Sequence, residues 1–311
     1  MDPITHSLAG TLLGRSNPSA KRGLVLACVL GALVPDIDIV LTFWGRDFYV
    51  TEHRGFTHSF LGILPMSLLA AWVAWFFVRR IKNVAPFKAL FGMAFVGVLS
   101  HLFLDVCTSW GTMLLWPLRT RYALDHLFIV DLWYAVLFAI PLVLSAFLKQ
   151  EKAMICGLGL LAVAAYHGLA AYEHHQALAV VQKDAPQAWH AALPEPLSPF
   201  RWSAFERQDH LLRNTRLDFL KNSDPLVWNQ WSEPPLTPEI QMAFNEPVIK
   251  SYLWFARVPV WEVEKEPDGA TKVKFWDERF HASLRGQGNE TAHRFGAEVV
   301  VKDGKIVSRK F

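Results

Sequence analysis

Five long apolar segments occupy the first half of the chain and predict membrane-spanning helices. Each is close to or longer than the ~20 residues that a helix needs to cross the hydrocarbon core of a bilayer. Residues 1–14 are too short to cross and predict a short N-terminal helix, with Asp2 or Thr5 as its cap and Pro3 in its first turn. The five segments are Gly23–Gly45, Thr57–Val78, Ala89–Cys107, Leu127–Leu148 and Ala153–Tyr172.

The polarity of the chain changes after Tyr172, where charged residues and prolines become frequent. Two stretches, Ser203–Lys221 and Thr237–Ser251, are expected to be helices. Two pairs of short runs, each joined by an Asp-Gly turn, predict β-hairpins. Their strands are Val258–Glu266 with Thr271–Asp277, and Ala297–Val301 with Lys305–Lys310.

These patterns together predict two domains. Residues 1–172 are expected to form an all-α polytopic membrane domain, with about five transmembrane helices plus the short N-terminal helix. Residues 173–311 are expected to form a small α+β soluble domain.

The composition agrees with a membrane protein, since 52% of the residues are hydrophobic and 19% are charged. The lipid bilayer is therefore the expected partner. The net charge of +3 is small, and no basic tract interleaved with aromatic residues indicates nucleic acid binding. The three cysteines lie in apolar runs without metal-ligand spacing, so we interpret them as small buried hydrophobic residues. They are Cys28, Cys107 and Cys156.

Basic residues in the short loops predict the orientation of the spans. Nine of them fall on one side of the predicted membrane domain and four on the other. The positive-inside rule places the nine in the cytoplasm. The loops 45–56 and 108–124 and the tail after Tyr172 are then extracytoplasmic. The nine are Arg15, Lys21, Arg22, Arg79, Arg80, Lys82, Lys88, Lys149 and Lys152, and the four are Arg46, Arg54, Arg119 and Arg121.

His101 and Asp105 stand four residues apart inside the third apolar segment. Positions four apart lie on one face of a helix, so the imidazole and the carboxylate can converge on one point. An ionised group inside a membrane span is costly unless it has a partner, and is usually functional. We interpret the pair as metal ligands.

Two further stretches carry ionisable residues at ends of the predicted spans. Asp36 and Asp38 follow Pro35, which interrupts the first segment, and His53 and His58 bracket the start of the second. Carboxylate oxygens beside imidazole nitrogens suit Zn²⁺ or Mn²⁺ and can bridge two ions. Simpler interpretations stay open: a helix end with its carboxylates in water, and a pair of interfacial histidines.

Three more candidates are weaker. His6 joins the cluster only if the N-terminal helix enters the membrane from the outer side. His126 and Asp131 open the fourth span, with Asp125 as a candidate cap, and either could bind a metal or orient a ligand. Apart from His6, all of these ionisable residues fall at the outer halves or outer ends of their spans, and scattered polar residues would not sort in this way. They are Asp36, Asp38, His53, His58, His101, Asp105, Asp125, His126 and Asp131.

Two residues are candidates for roles in chemistry. Arg54 is placed at the outer rim, where it could hold a phosphate or a developing oxyanion. An interfacial anchor is the alternative for Arg54. Asp131 is the candidate general base. Ser59 has no evident His and Asp partners, which argues against a covalent serine hydrolase.

The motifs in this order resemble the bacterial YdjM-like family of inner-membrane proteins, described as membrane-bound metal-dependent hydrolases. The resemblance covers about residues 1–150 and implies an integral membrane protein with a His/Asp metal centre. The substrate is not implied. The motifs are Met1-Asp-Pro-Ile-Thr-His6, Pro35-Asp-Ile-Asp38, His53-Arg-Gly-Phe-Thr-His-Ser59 and His101-x3-Asp105.

The expected function is that of a multi-pass hydrolase of the bacterial inner membrane. It would act on an ester or phosphoester of a lipid or envelope precursor through a metal-activated water. The expected cofactor is one or two divalent ions, with zinc favoured over manganese. The ligand candidates are His6, Asp36, Asp38, His53, His58, His101, Asp105 and His126, and the catalytic candidates are Arg54 and Asp131.

Two alternatives come from other functional classes. Intramembrane His and Asp residues also build ion and proton pathways in transporters. Such a pathway needs ionisable groups at several depths, whereas these residues collect on one side. A structural envelope protein could use the metal only to stabilise its fold.

Overall fold

The computed structural model describes residues 1–19, 21–221, 226–282 and 296–310, which divide into two compact units. The helical unit comprises Met1–Val40, Arg54–His174 and Pro196–Pro199. The sheet unit comprises Leu41–His53, His175–Glu195 and Phe200–Phe311. The two units interleave along the chain, and a single domain boundary at residue 172 stays a prediction.

Four of the five predicted spans coincide with helices that are long enough to cross a membrane, and the count of five spans stays a prediction. Among the described residues, four helices are long and apolar enough to cross a membrane, and one shorter apolar helix of 16 residues accompanies them. The four spans are Leu24–Trp44, Phe60–Val78, Phe87–Val106 and Lys152–Lys183. In chain order the helices are Pro3–Ser16 (α1), Leu24–Leu33 (α2), Arg46–Glu52 (α3), Phe60–Val78 (α4), Phe87–Val106 (α5), Leu132–Phe147 (α6) and Lys152–Asp184 (α7).

The helix cap at Asp2 and the helix interruption at Pro35 are both found where the sequence predicts them. The carboxylate of Asp2 caps α1 by accepting the amide N–H groups of Ile4 and Thr5. After α2, residues Val34–Trp44 continue as a 3₁₀ helix. Pro35 has no N–H to donate, and its ring crowds the preceding turn, so a regular α-helix does not continue there.

The close crossing of α2 and α5 positions the residues of the candidate site. A Cβ atom at Gly31 would lie 2.2 Å from the carbonyl oxygen of Ala94, and one at Gly97 would lie 2.2 Å from that of Cys28. Only a residue without a side chain allows the two backbones to touch in this way. The contact lies one turn before His101 on α5, and it brings this histidine against the end of α2.

Gly97→Ala is expected to destabilise the helical unit by about 1–3 kcal/mol, because the added methyl group overpacks the helix crossing. Gly92→Ala is the matched control on the same helix, since a Cβ atom there meets nothing within 4 Å. Thermal unfolding of the two purified variants in detergent measures the difference. Equal midpoints would show that the two helices can separate at no cost.

The sheet unit contains two four-stranded antiparallel sheets within its described residues, each with its strands in sequential order. Both predicted hairpins are confirmed, as β5–β6 and β7–β8. The strands are Trp189–Pro194 (β1), Arg201–Gln208 (β2), Leu211–Asp218 (β3), Asn229–Ser232 (β4), Pro259–Lys265 (β5), Thr271–Asp277 (β6), Gly296–Lys302 (β7) and Lys305–Lys310 (β8). The helices are Pro238–Asn245 (α8), Pro247–Phe255 (α9) and Glu278–Ala282 (α10).

The helix predicted over Ser203–Lys221 is wrong, because this stretch contains most of the β2–β3 hairpin. Gln208 pairs with Leu211 around a two-residue turn. Asp209 in this turn has a φ of 53°, a left-handed conformation that Asp tolerates and a two-residue hairpin needs. Cross-strand packing therefore outweighs the local helix propensity.

Two other predicted helices have different bounds. The helix expected over Thr237–Ser251 divides into α8 and α9 at Glu246, whose extended backbone is typical of a residue before proline. The last span was expected to end at Tyr172, whereas α7 continues to Asp184. Its final turns bury Ala177 and Val181 in the same apolar cluster as Trp202 of β2.

Candidate metal centre

Four residues of the helical unit bring one ligand atom each into a tight group. Asp36, His58, His101 and Asp105 offer oxygen or nitrogen atoms that all lie within 4.8 Å of one another. The two histidine Nε2 atoms are 3.0 Å apart. Each lies 3.3 Å from Asp105 Oδ2 and 3.5 Å from Asp36 Oδ1. All four were ligand candidates from the sequence.

These distances match the edges of a tetrahedral zinc site. Zinc binds nitrogen and carboxylate oxygen at ~2.0–2.1 Å, and a tetrahedron of that size has edges of about 3.3–3.4 Å. Five edges measured between the four ligand atoms run from 3.0 to 3.5 Å. Asp105 Oδ2, moreover, is buried without a hydrogen-bond partner among the described residues. The donor set therefore fits a divalent ion.

The outer nitrogen of each histidine is held by an oxygen atom. His101 Nδ1 lies 2.7 Å from the carbonyl oxygen of Ala32, which can only accept, so this nitrogen carries the proton in the neutral ring. His58 Nδ1 lies 2.9 Å from Thr57 Oγ1 and 3.4 Å from Asp38 Oδ2. If both rings are neutral and protonated at Nδ1, the lone pairs of the two Nε2 atoms face each other across 3.0 Å. A cation bound between these nitrogens would stabilise this arrangement. Such second contacts are typical of metal-binding histidines.

The local electrostatics favour a cation. Three carboxylate oxygens, from Asp36, Asp38 and Asp105, lie 3.3–3.5 Å from the ring nitrogens of His58 and concentrate negative charge around it. Three of the four ligand side chains are fully buried, whereas that of Asp36 is 26% exposed. The centre is therefore accessible to solvent or substrate beside Asp36.

Asp38 lies behind His58 and organises the segment before α4. Its Oδ2 accepts the backbone N–H of Arg54 at 2.9 Å and the hydroxyl of Thr57 at 3.1 Å. Arg54 has a φ of 62° here, a conformation that this hydrogen bond helps to hold. The sequence predicted that Asp38 is a direct metal ligand. In the structure its contacts instead hold Arg54 and Thr57 and orient His58.

Arg54 is buried, although the sequence placed it at the outer rim. Its Nη2 lies 2.9 Å from Asp105 Oδ1. Its Nη1 donates to Thr108 Oγ1 at 3.3 Å and to the carbonyl oxygen of Gly111 at 3.5 Å. The guanidinium therefore holds the carboxylate oxygen of Asp105 that faces away from the four-atom group.

The start of α1 reaches the same carboxylate. The ring of His6 stacks on that of His101 with centroids 3.8 Å apart, and its Nε2 lies 3.4 Å from Asp105 Oδ1. Neither ring nitrogen of His6 has a hydrogen-bond partner among the described residues. The ammonium group of Met1 also pairs with Asp105 Oδ1. His6 thus adjoins the centre, as it would if α1 entered beside it, and Met1 is a contact that the sequence did not suggest.

Three predicted site residues have other surroundings. His53 belongs to the sheet unit and stacks on Tyr49 with ring centroids 4.5 Å apart. Asp131 caps α6 through the amide N–H of Tyr134 and accepts the hydroxyl of Tyr166 at 2.8 Å. His126 faces His167 and Cys107. Their assignments as ligands or general base stay predictions.

Sequence analysis missed Cys107 and His167, which join His126 in a second group. Cys107 was interpreted as a buried hydrophobic residue. His167 has no acidic residue three or four positions away along its helix. Its position in the middle of an apolar span was the available signal, since an ionisable residue there needs a partner.

Comparisons with known proteins identify the family of the chain. The family model described as YdjM inner membrane protein matches residues 1–177. The inner membrane protein YdjM of Escherichia coli (strain K12) is 36% identical over 113 residues, which cover 33% of this chain and 54% of that protein. The uncharacterized protein YfhP of Bacillus subtilis (strain 168) is 27% identical over 157 residues, which cover 43% of this chain and 47% of that protein.

The chain thus spans about half the length of the curated relatives it matches. No solved structure matches it significantly. The family match covers more than half of the chain, including every residue of the four-atom group. Together with the apolar helices it supports a location in the inner membrane. This chain belongs to the YdjM inner membrane protein family.

Proposed function

We propose that the chain is a membrane-bound metal-dependent hydrolase whose centre consists of Asp36, His58, His101 and Asp105. The observation that carries the proposal is the tetrahedral spacing of their four ligand atoms, 3.0–3.5 Å apart over five edges. Mixed imidazole and carboxylate ligands suit zinc, with manganese as the alternative. A bound divalent ion supplies a Lewis acid and lowers the pKa of a coordinated water to near ~7.

The exposures of the four residues suggest a division of roles. His58, His101 and Asp105 are fully buried and form the fixed part of the ligand set. Catalytic zinc sites commonly use three protein ligands and leave a fourth position for water. Asp36 is the one with an exposed side chain, and its carboxylate can either occupy that position or accept a proton from a water that enters there.

Two further residues keep the ligands in place. Arg54 binds the outer oxygen of Asp105, and Asp38 accepts from the backbone of Arg54 and from Thr57 beside His58. Rigid outer contacts of this kind fix the orientation of the ligand atoms. We assign both as positioning residues.

The location of the centre supports a substrate from the membrane surface. His58 lies two residues before the start of α4, while His101 and Asp105 lie in the last two turns of α5. The centre therefore lies at the ends of apolar helices, where a polar lipid headgroup meets its acyl chains. An ester or phosphoester of a lipid or envelope precursor fits this position.

Chelation followed by metal restoration tests the hydrolase. We expect purified protein in detergent to contain zinc or manganese. Its hydrolysis of a chromogenic phosphodiester or ester, offered in mixed micelles, is expected to disappear with a chelator and to return with the ion. An intact fold with bound metal and no turnover on any lipid ester would favour a structural role, and metal-dependent flux in proteoliposomes would favour a transporter.

The sheet unit is proposed to lie outside the cytoplasm. The basis is the excess of basic residues, nine against four, in the loops of one side. Alkaline phosphatase fused after Lys310 is expected to be active in cells, because the enzyme folds only outside the cytoplasm. Activity of a cytoplasmic reporter at the same position would reverse the orientation of every span.

A further inference from the structure

A second group of potential metal ligands lies in the helical unit and shares no residue with the four-atom group. Cys107 follows α5, His126 lies in the segment before α6, and His167 lies in the middle of α7. Their ligand atoms all lie within 4.8 Å of one another. From this convergence we propose that these three residues bind a second metal ion, of the softer kind that prefers thiolate and imidazole.

The backbone fixes Cys107 and His126 beside each other. The carbonyl oxygen of Cys107 accepts the amide N–H of His126 at 3.1 Å and that of Leu127 at 3.0 Å. Cys107 and Leu127 are both fully buried or nearly so. The two ligands therefore come from segments that are already joined, and no chain movement is needed to bring them together.

His167 reaches the group from a different helix and is oriented by α6. Its Nδ1 lies 3.2 Å from His126 Nε2, and its Nε2 is hydrogen-bonded to the hydroxyl of Tyr134. Asp131 in turn caps the helix that carries Tyr134. Metal-binding histidines usually give their second nitrogen to an oxygen atom, which leaves the first free for the ion. The Tyr134 contact has this form.

A histidine pair linked by one hydrogen bond would explain the 3.2 Å contact, but it would not explain a thiol at the same point. Cysteine and histidine are both common ligands of zinc, and a coordinated thiol gives up its proton. The position of His167 within an apolar helix adds a cost that a bound ion would offset. A thiolate site also prefers softer ions than the carboxylate-rich first centre.

One residue of the group borders an apolar cavity. His167 and Tyr134 line an apolar cavity of about 310 Å³, together with Phe103, Leu160 and Val163. Zinc sites with three protein ligands take water or a small molecule in the remaining position. Of the three residues in the group, His167 is the one that lines this cavity.

Cobalt(II) is the probe for this site, because a thiolate bound to Co²⁺ gives a strong charge-transfer band in the near ultraviolet. We expect the full chain in detergent to show the band when loaded with Co²⁺. Cys107→Ser is expected to abolish it and to lower the metal content by about one ion per chain. His58→Ala is expected to retain the band, since it alters only the first centre. Cys156→Ser is the matched control, a buried cysteine outside the group.

Alkylation provides a second measurement that does not require a variant. Bound Zn²⁺ is expected to protect Cys107 from a maleimide reagent in detergent, and a chelator is expected to remove the protection. Absence of the band in the wild type, or its persistence in Cys107→Ser, would overturn the proposal, as would equal labelling with and without the ion. None of these readouts depends on hydrolysis, so the proposed function and this site can fail separately.

Discussion

Asp105→Asn and His101→Ala are each expected to remove most of the metal from the first centre and to abolish its hydrolytic activity. Both side chains are fully buried, and together they supply two of the four ligand atoms. Loss of an outer contact usually lowers metal affinity or activity ~10–100-fold, and loss of a ligand is expected to cost more. Metal content and turnover of the same detergent preparation measure the effect.

The two variants differ in their risk to the fold. Asp105 also balances the Arg54 guanidinium and the Met1 ammonium, so its neutralisation leaves buried cations without their partner. Breaking a buried ion pair typically costs about 3–5 kcal/mol. His101→Ala removes a ligand without this charge imbalance. Metal loss in His101→Ala, in a protein that still inserts and unfolds cooperatively, therefore isolates the role in binding.

Two matched controls come from residues that the sequence suggested as site residues and that are not members of the four-atom group. His53→Ala removes a histidine that stacks on Tyr49, and Asp131→Asn neutralises a carboxylate that caps α6, where Asn also caps well. Both are expected to retain the metal of the first centre. Full metal occupancy in both Asp105→Asn and His101→Ala would instead make them a structural pair and refute the centre.

The ligand candidates that the sequence indicated most directly are those whose convergence depends on local geometry. His101 and Asp105 converge because four residues make about one turn of helix, which depends on nothing outside α5. Asp36 is the next most evident candidate, because the Pro35 directly before it ends the regular α-helix α2. The α2–α5 contact through Gly31 and Gly97 then joins these two local features, and this step needed the tertiary structure.

The sequence could not show which of the other histidines lie at the metal centre, because their positions depend on irregular segments of the chain. His53 and His58 are five residues apart, and the short 3₁₀ turn Phe56–His58 selects the second as the ligand candidate. His126 is held beside Cys107 by backbone hydrogen bonds from His126 and Leu127 to the carbonyl oxygen of Cys107, which lies 19 and 20 positions earlier in the chain. Local secondary-structure propensity does not report contacts between distant segments, and for the same reason it predicted a helix where the β2–β3 hairpin lies.

The position of the Arg54 side chain also could not be predicted from the sequence, and its position decides which role the residue has. Its place beside His53 suggested an exposed group ready for phosphate. The structure buries the guanidinium and pairs it with Asp105, Thr108 and Gly111. A positioning role and a substrate-binding role make different predictions for a substitution that keeps the charge.

Arg54→Lys is expected to lower metal affinity about 10–100-fold, the usual effect of losing an outer contact to a ligand. Lysine keeps the positive charge, but its ammonium cannot reproduce a planar fork that holds Asp105, Thr108 and Gly111 together. Activity is therefore expected to recover when the metal concentration is raised. The measurement is turnover as a function of free metal ion, compared with wild type.

Arg15→Lys is the control for this substitution, because Arg15 is a partly buried arginine of the same unit that donates to Leu142 and Ser145. It is expected to leave the metal titration unchanged. If Arg54 instead holds the substrate, Arg54→Lys keeps its metal affinity and loses turnover by roughly 10²–10³-fold, as on removal of one oxyanion donor. That loss would persist at saturating metal, and it would return Arg54 to the catalytic role that its position in the sequence suggested.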